Sequence, residues 1–377
     1  MRILYVAAVL LTFWGCESKT TTPARTAAAL TTDTTRTAPV LGSYEGSIAG
    51  KYPFRLAITS QLNKTEVVGI YYYLKQQKPI RLWGTLAPNG EIWLREVDPE
   101  RPDTVAAGWG PGGKARHPFA YFRLRQQPQG GLAGTWQAAK SDKQLLAQLT
   151  PYHVSGPVQK AHVSERTYFG EFTAPEFTVS DMDITEKLYW LFYIEDLSEQ
   201  TLEELQEEHR NHKSGEFQGY GGVSSEVTYN DRGLLSVSLR DEYTAANVNS
   251  RFWTKVVDLR TGEGLYENEI DPAKRNAFLA ACEAQLQQQL REYIRDSTSD
   301  FDSTDIAGLR SQHIGPGNPP DEMQIEANGR ISFNHSVEYD MMSNFMRKMY
   351  AEQFRVSFTF AEMARYLKPN SPLRRLL

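Results

Sequence analysis

Cysteine is almost absent from this chain. Cys16 and Cys282 are the only two, far apart and in unlike surroundings. That excludes a disulfide framework and the CxxC spacing of a metal site. An excess of charge of one sign is also missing: 41 Lys and Arg stand against 46 Asp and Glu, a net charge of -5. So mild a balance suits a soluble body and argues against a nucleic-acid partner, which wants a basic face. There is no G-x-S-x-G nucleophile elbow and no HExxH pair. What is present is ordinary for a folded protein. With 40% hydrophobic and 23% charged residues over 377 positions, the chain can bury the cores of about two domains.

The apolar run at the start, Ile3 to Trp14, has twelve residues behind a single charge, Arg2. Spanning a bilayer core takes roughly twenty, so this run reads as a secretory signal, closed by the small Gly15. Gly15-Cys16 resembles the lipobox of bacterial lipoproteins, although Phe13 and Trp14 stand where that pattern prefers Leu and a small residue. The resemblance implies that the Cys16 thiol is diacylated and becomes the new N-terminus; an ordinary signal peptide with an incidental cysteine is the alternative. From Ser18 to Val40 the chain is mostly Thr, Ala and Ser with no aromatic residue. Such a segment buries too little surface to offset its ordering entropy and is expected to be a leash. Residues 1–15 are thus read as signal peptide, and 16–41 as lipidated cysteine plus linker.

Residues 42–151 read as strand after strand. "GSYEGSIAG", "YPFRLAITS", "VVGIYYYL", "IRLWGTL", "EIWLREV", "PFAYFRLRQ" and "GLAGTWQAA" are aromatic and β-branched, divided by turn signals such as Asn89-Gly90. No helical period intervenes, so a small antiparallel barrel or sandwich is expected. Tyr44, Gly46, Ile48, Lys51, Tyr52, Pro53 and Gly134-Thr135-Trp136 resemble the N-terminal β-domain of certain Bacteroidetes lipoproteins.

From Glu165 the character changes. "SEQTLEELQEEHRNHK" predicts a charged helix capped by Ser198 with Leu202 and Leu205 as its apolar face. Two hairpin-like units turn at Asp231-Arg232-Gly233 and Arg260-Thr261-Gly262. A helix follows in which Phe278, Cys282, Leu286 and Leu290 recur every four residues, so Cys282 is expected in a core. A polar loop is expected from Ser297 to Asp321, then strands in "RISFNHSVEY" and "FRVSFTF", then "AEMARYL". Residues 165–377 are therefore an expected α+β domain, and the fold class is multidomain, all-β followed by α+β. This order resembles the C-terminal domain shared by the lysozyme-sensing anti-sigma factor RsiV and the peptidoglycan deacetylase PdaC. Val257, Asp258, Leu259, Thr261 and Gly262 carry its "hydrophobic-Asp-Leu-x-Thr-Gly" strand end, and Phe358 to Leu367 its closing strand and helix. Where many members have a Gly/His loop, this chain has "TAANVNSR", Thr244 to Arg251, so nothing that rests on that loop carries over.

Candidate chemistry is sparse. "GWGPGGKA" places Gly108, Gly110, Gly113 and Lys114 near a phosphate-loop spacing, but Ala115 has no hydroxyl for magnesium and a strand, not a helix, follows. His209 and His212 stand at i, i+3 near Glu204, Glu207 and Glu208, with no third zinc ligand identifiable. Asp300, Asp302 and Asp305 resemble the start of a calcium loop without its turn glycine or closing Glu; no cofactor is expected, and calcium is the one ion this pattern could take. Trp83, Trp93, Trp109 and Trp136 form a candidate ligand site on the β-domain, for sugar stacking or an apolar molecule. The reading is a lipoprotein of the cell envelope, periplasmic or at the outer membrane or cell surface. It is expected to be a non-catalytic binding module. The resemblance implies a lysozyme-like envelope protein or peptidoglycan as partner. The alternatives are a cell-wall glycan enzyme and a lipocalin-like carrier.

Overall fold

The computed structural model describes residues 40–97, 100, 119–198, 200–214, 220–244, 248–265, 269–296, 302–340, 342–350 and 353–377. Cys16, Trp109, Asp300 and the glycines of "GWGPGGKA" lie outside them.

Eight strands form a closed barrel in chain order: β1 (Gly42–Ile48), β2 (Tyr52–Gln61), β3 (Glu66–Tyr73), β4 (Ile80–Leu86), β5 (Glu91–Glu96), β6 (Tyr121–Gln126), β7 (Leu132–Gln137) and β8 (Gln144–Pro151). Each is antiparallel to its neighbours, and β8 returns to β1. Alternation decides which side chains point inward. Phe54, Leu56 and Ile58 of β2 face Tyr71 of β3, Leu82, Ile92, Leu94, Phe122 and Leu124, all essentially inaccessible. Inside, Phe54, Tyr71 and Phe122 meet with ring centroids 5.3–6.0 Å apart. An eight-stranded barrel is just wide enough for its own side chains, and these fill it. Two glycines make the tight closure possible. A Cβ on Gly46 would sit 1.9 Å from the Gln148 carbonyl oxygen, and one on Gly134 equally close to that of Arg123. The Y-x-G and G-x-W patterns read in the sequence are thus places where neighbouring backbones leave no room for a side chain.

The second half is built on a sheet of four strands, β11 (Tyr220–Asp231), β12 (Leu234–Thr244), β13 (Val248–Asp258) and β14 (Glu263–Leu265). One face holds Leu235, Val237, Leu239 and Val257. They pack against the hairpin β9 (His162–Tyr168) and β10 (Phe172–Thr178) and against helices α1 (Met182–Leu191), α2 (Ile194–Ser198) and α3 (Leu202–Ser214). The other face holds Leu234, Val256 and Leu265. Over it lie α4 (Arg275–Asp296) and a three-stranded sheet of β15 (Met323–Glu326), β16 (Arg330–Asn334) and β17 (Arg355–Thr359). The architecture is a barrel followed by an α+β region.

Cys282 is buried in α4 beside Phe278, Leu286 and Leu290, as its spacing predicts, and burial pushes its thiol up to about 12. Two expectations need correction. The helix expected to start at Ser198 starts later: Ser198 ends α2, and Thr201 caps α3. Glu204 N–H donates to Thr201 Oγ1 at 3.2 Å, and Thr201 N–H donates back to Glu204 at 2.7 Å. That reciprocal pair outcompetes a lone serine three residues earlier. The loop expected over 297–321 contains α5 (Ser303–Arg310), capped by Asp302.

Candidate functional site

In "SVSLR" every second residue of β12 is polar: Val237 and Leu239 enter the core, while Ser236, Ser238 and Arg240 line the opposite face. Register extends that face sideways. Ser238 stands between Glu226 of β11 and Thr254 of β13, and Arg240 between Ser224 and Phe252. The small sheet covers its lower part through hydroxyl joints. Ser236 Oγ accepts from Ile325 N–H at 3.1 Å, Thr254 Oγ1 donates to the Met323 carbonyl at 2.8 Å, and Thr254 N–H donates to Glu322 Oε2 at 2.6 Å. Beyond that cover the face opens into a trough of about 260 Å³ lined by Ser224, Glu226, Ser238, Arg240 and Phe252. The Arg240 guanidinium lies over the Phe252 ring, 4.8 Å from its centre, a positive charge held against an aromatic face.

Ser238 and Phe252 also wall a smaller recess that runs under the cover to Glu322, Gln324 and Ser332, with free volume of about 10 Å³. Gln324 and Ser332 are cross-strand partners, 7% and 0% exposed, and Gln324 Oε1 and Ser332 Oγ have no protein partner. Buried polar atoms are seldom left so, and the recess has room for one bridging water. Glu322 stands at its edge. Burial and the neighbouring Asp321 outweigh the Thr254 N–H and Arg251, and raise its carboxyl to about 7. The arrangement therefore offers hydroxyls, an arginine on an aromatic face, and a carboxyl that changes charge near neutrality.

The residues singled out in the sequence fall elsewhere. Trp83 and Trp93 share the barrel's outer face on adjacent strands, because Trp83 pairs with Arg95 and Trp93 with Thr85. Trp93 is stacked between Tyr121, at 6.2 Å, and the Arg123 guanidinium, at 4.8 Å. Trp136 instead packs into the barrel interior, so the described tryptophans do not converge. Asp302 Oδ1 accepts the N–H groups of Thr304 and Asp305 at 2.7 and 2.8 Å, and Asp305 Oδ1 accepts the Tyr339 hydroxyl at 2.7 Å. These carboxylates cap and pin α5. His209 and His212 both turn Nδ1 to Glu171 at the β9–β10 turn, at 2.8 and 2.6 Å. Among the described residues no three His, Cys, Asp or Glu side chains are placed to hold a metal, and no helix is long and apolar enough to cross a membrane. The sequence reading missed Ser238, Arg240, Phe252 and Glu322. The alternating serines were visible; the approach of Glu322, 84 residues beyond Ser238, was not.

No family model matches this chain, and no curated protein matches it. Solved structures that match remotely include two of the DUF3298 family. A DUF3298 family protein from Pseudomonas aeruginosa PAO1 shares 15% identity over 58% of this chain and 97% of its own, with a TM-score of 0.37. A DUF3298 family member from Bacteroides fragilis NCTC 9343 shares 13% over 58% and 95%, with a TM-score of 0.34.

Proposed function

We propose that this chain is an extracytoplasmic lipoprotein, anchored through Cys16, whose α+β half binds peptidoglycan glycan without transforming it. The trough carries this reading. Serine hydroxyls and a guanidinium match the hydroxyl and N-acetyl groups of a sugar strand, and Phe252 holds the Arg240 plane in place from beneath. A protein partner of ordinary affinity needs about 800 Å² of contact per side with aromatic anchors, which this narrow polar groove does not supply. The filled barrel supports a structural or docking role over that of a carrier, since Phe54, Tyr71 and Phe122 occupy the place of a ligand. A second reading, a glycan-acting enzyme, draws on Glu226 and Glu322 lining one continuous groove. Two strand spacings separate Glu226 from Thr254, about 10 Å of backbone, which is wide for a carboxylate pair that works across one bond.

The test is sedimentation of the full chain with insoluble sacculi, beside cross-linked capture from the native envelope. Retention should fall at least about tenfold in Arg240→Ala and in Phe252→Ala, the loss of one stacked charged contact. In high-salt buffer, which screens surface charge, Cys16→Ser should move the protein from the membrane to the soluble fraction without changing sacculus retention. Capture of one stoichiometric protein with sacculi ignored would replace glycan by a protein partner. Release of soluble fragments, abolished by Glu322→Gln, would replace binding by catalysis.

A further inference from the structure

Charge is divided unevenly along the chain. Residues 42–151 hold 14 Lys and Arg against 8 Asp and Glu, a net +6; residues 152–377 hold 23 against 36, a net -13. The barrel gathers part of that positive charge at one end. Because its strands alternate in an antiparallel ring, the β1–β2, β3–β4 and β7–β8 turns lie together. They present Lys51, Lys75, Lys140 and Lys143, all exposed. Two large apolar side chains stand among them, Tyr52 at 54% exposure and Leu146 at 64%. Ile48 pairs with Tyr52, and the Ala49 N–H donates to the Leu146 carbonyl at 2.7 Å, so both border the end of β1.

The neighbouring charges do not cancel this cluster. Asp142 is the acid within these three turns. Lys78 shares the end but is turned to the second half, its Nζ donating to the Glu165 carbonyl at 3.1 Å. The segment joining β5 to β6 leaves from the same end with three acidic and three basic residues, no net charge. At the opposite end, turns 62–65, 87–90 and 127–131 carry a single charged residue, Lys64.

We propose that the lysine-tipped end of the barrel docks on an anionic phospholipid surface. Lysines near such a surface are attracted individually, and a tyrosine and a leucine among them suit the boundary between headgroups and acyl chains. Of the two halves, the net positive barrel is the one that such a surface attracts. An anchor at Cys16 permits this geometry. Twenty-six residues, 16–41, precede β1 and reach at most about 90 Å, whereas the seven residues of β1 rise only about 23 Å. The proposal does not depend on what the trough binds.

The test uses the full chain carrying Cys16→Ser, so that no acyl chain contributes. Its sedimentation is measured with vesicles of phosphatidylcholine alone and of phosphatidylcholine mixed with phosphatidylglycerol. Binding should need phosphatidylglycerol and weaken with salt. Replacing Lys51, Lys75, Lys140 and Lys143 by Ser should reduce it on the order of fivefold per lysine, several-hundred-fold in all. Lys64→Ser should bind like the parent. The proposal is overturned by binding that ignores phosphatidylglycerol, by a quadruple variant that binds unchanged, or by an equal loss in Lys64→Ser. Preference for duplex DNA over the vesicles would overturn it too, naming a different partner class.

Discussion

Glu322 holds its proton unusually long because two unfavourable surroundings meet at one carboxyl: a half-buried position under the small sheet and Asp321 beside it. Its folded value is raised to about 7 from an ordinary 4.5. Between those values the folded state binds more protons than the unfolded one. Stability therefore declines as pH rises through that window and levels off above it. Partial exposure limits the loss to about 2 kcal/mol. Glu322→Gln keeps an acceptor for the Thr254 N–H and has no charge to expose. Its urea midpoint is expected to stay level between pH 5 and 8 while that of the parent falls; parallel profiles would show that the carboxyl titrates as if in water. The serine periodicity around this residue was legible in "SVSLR". The residue itself was not, since nothing local to Asp321-Glu322 announces Thr254 as a neighbour.

Elements here are set by alternation and by what lets strands close. Turn residues behaved as their chemistry predicts: Gly90 and Gly233 adopt positive φ, 76° and 74°, in the turns that join β4 to β5 and β11 to β12. The barrel depends more on glycines inside strands. Gly134→Ala would place a methyl group 1.9 Å from the Arg123 carbonyl oxygen, backbone that cannot rotate away. The expected cost exceeds about 3 kcal/mol, read as a lower denaturation midpoint, with Gly130→Ala in the adjoining turn as a milder comparison. Helix α3 is held differently. Burial alone would raise the Glu171 carboxyl, but hydrogen bonds with His209 and His212 outweigh it and hold it low. A depressed carboxylate stabilises above its unfolded value and ceases to as pH falls. Glu171→Gln should therefore loosen α3 at neutral pH, measured as faster amide exchange in Leu202–Ser214 with the barrel strands unchanged. Exchange that stays slow would place the docking energy in Leu202 and Leu205 alone.

At the scale of the whole molecule, the barrel and the α+β region meet through hydrogen bonds and an apolar patch. Tyr72 of β3 donates its hydroxyl to the Val179 carbonyl at 3.0 Å, and Thr178 Oγ1 donates to the Gln77 carbonyl at 2.9 Å. Arg166 pairs with Glu176 and reaches the Pro79 carbonyl at 2.7 Å. Ala57, Ile70 and Tyr72 on the barrel wall pack against Met182 and Tyr189 of α1. Removing one member of a buried ion pair strands the other, at about 3–5 kcal/mol. Arg166→Ala is expected to divide one calorimetric transition into two, the barrel melting apart from the rest; a single transition shifted down would mean that the apolar contacts keep the halves coupled.

Several properties are decided by local sequence. Alternating aromatic and β-branched residues with Gly and Asn turns specify antiparallel strands, and a four-residue apolar spacing specifies the helix that buries Cys282. The closed ring, the trough and the gathering of Lys51, Lys75, Lys140 and Lys143 at one end are decided only by tertiary structure. The charge division between the halves can be counted along the chain, yet it acquires a direction only once eight antiparallel strands bring distant turns together. The same holds for Glu322. Its chemistry follows from burial beside strands far away in sequence, and pairing between distant segments is the one quantity that local residue patterns do not encode.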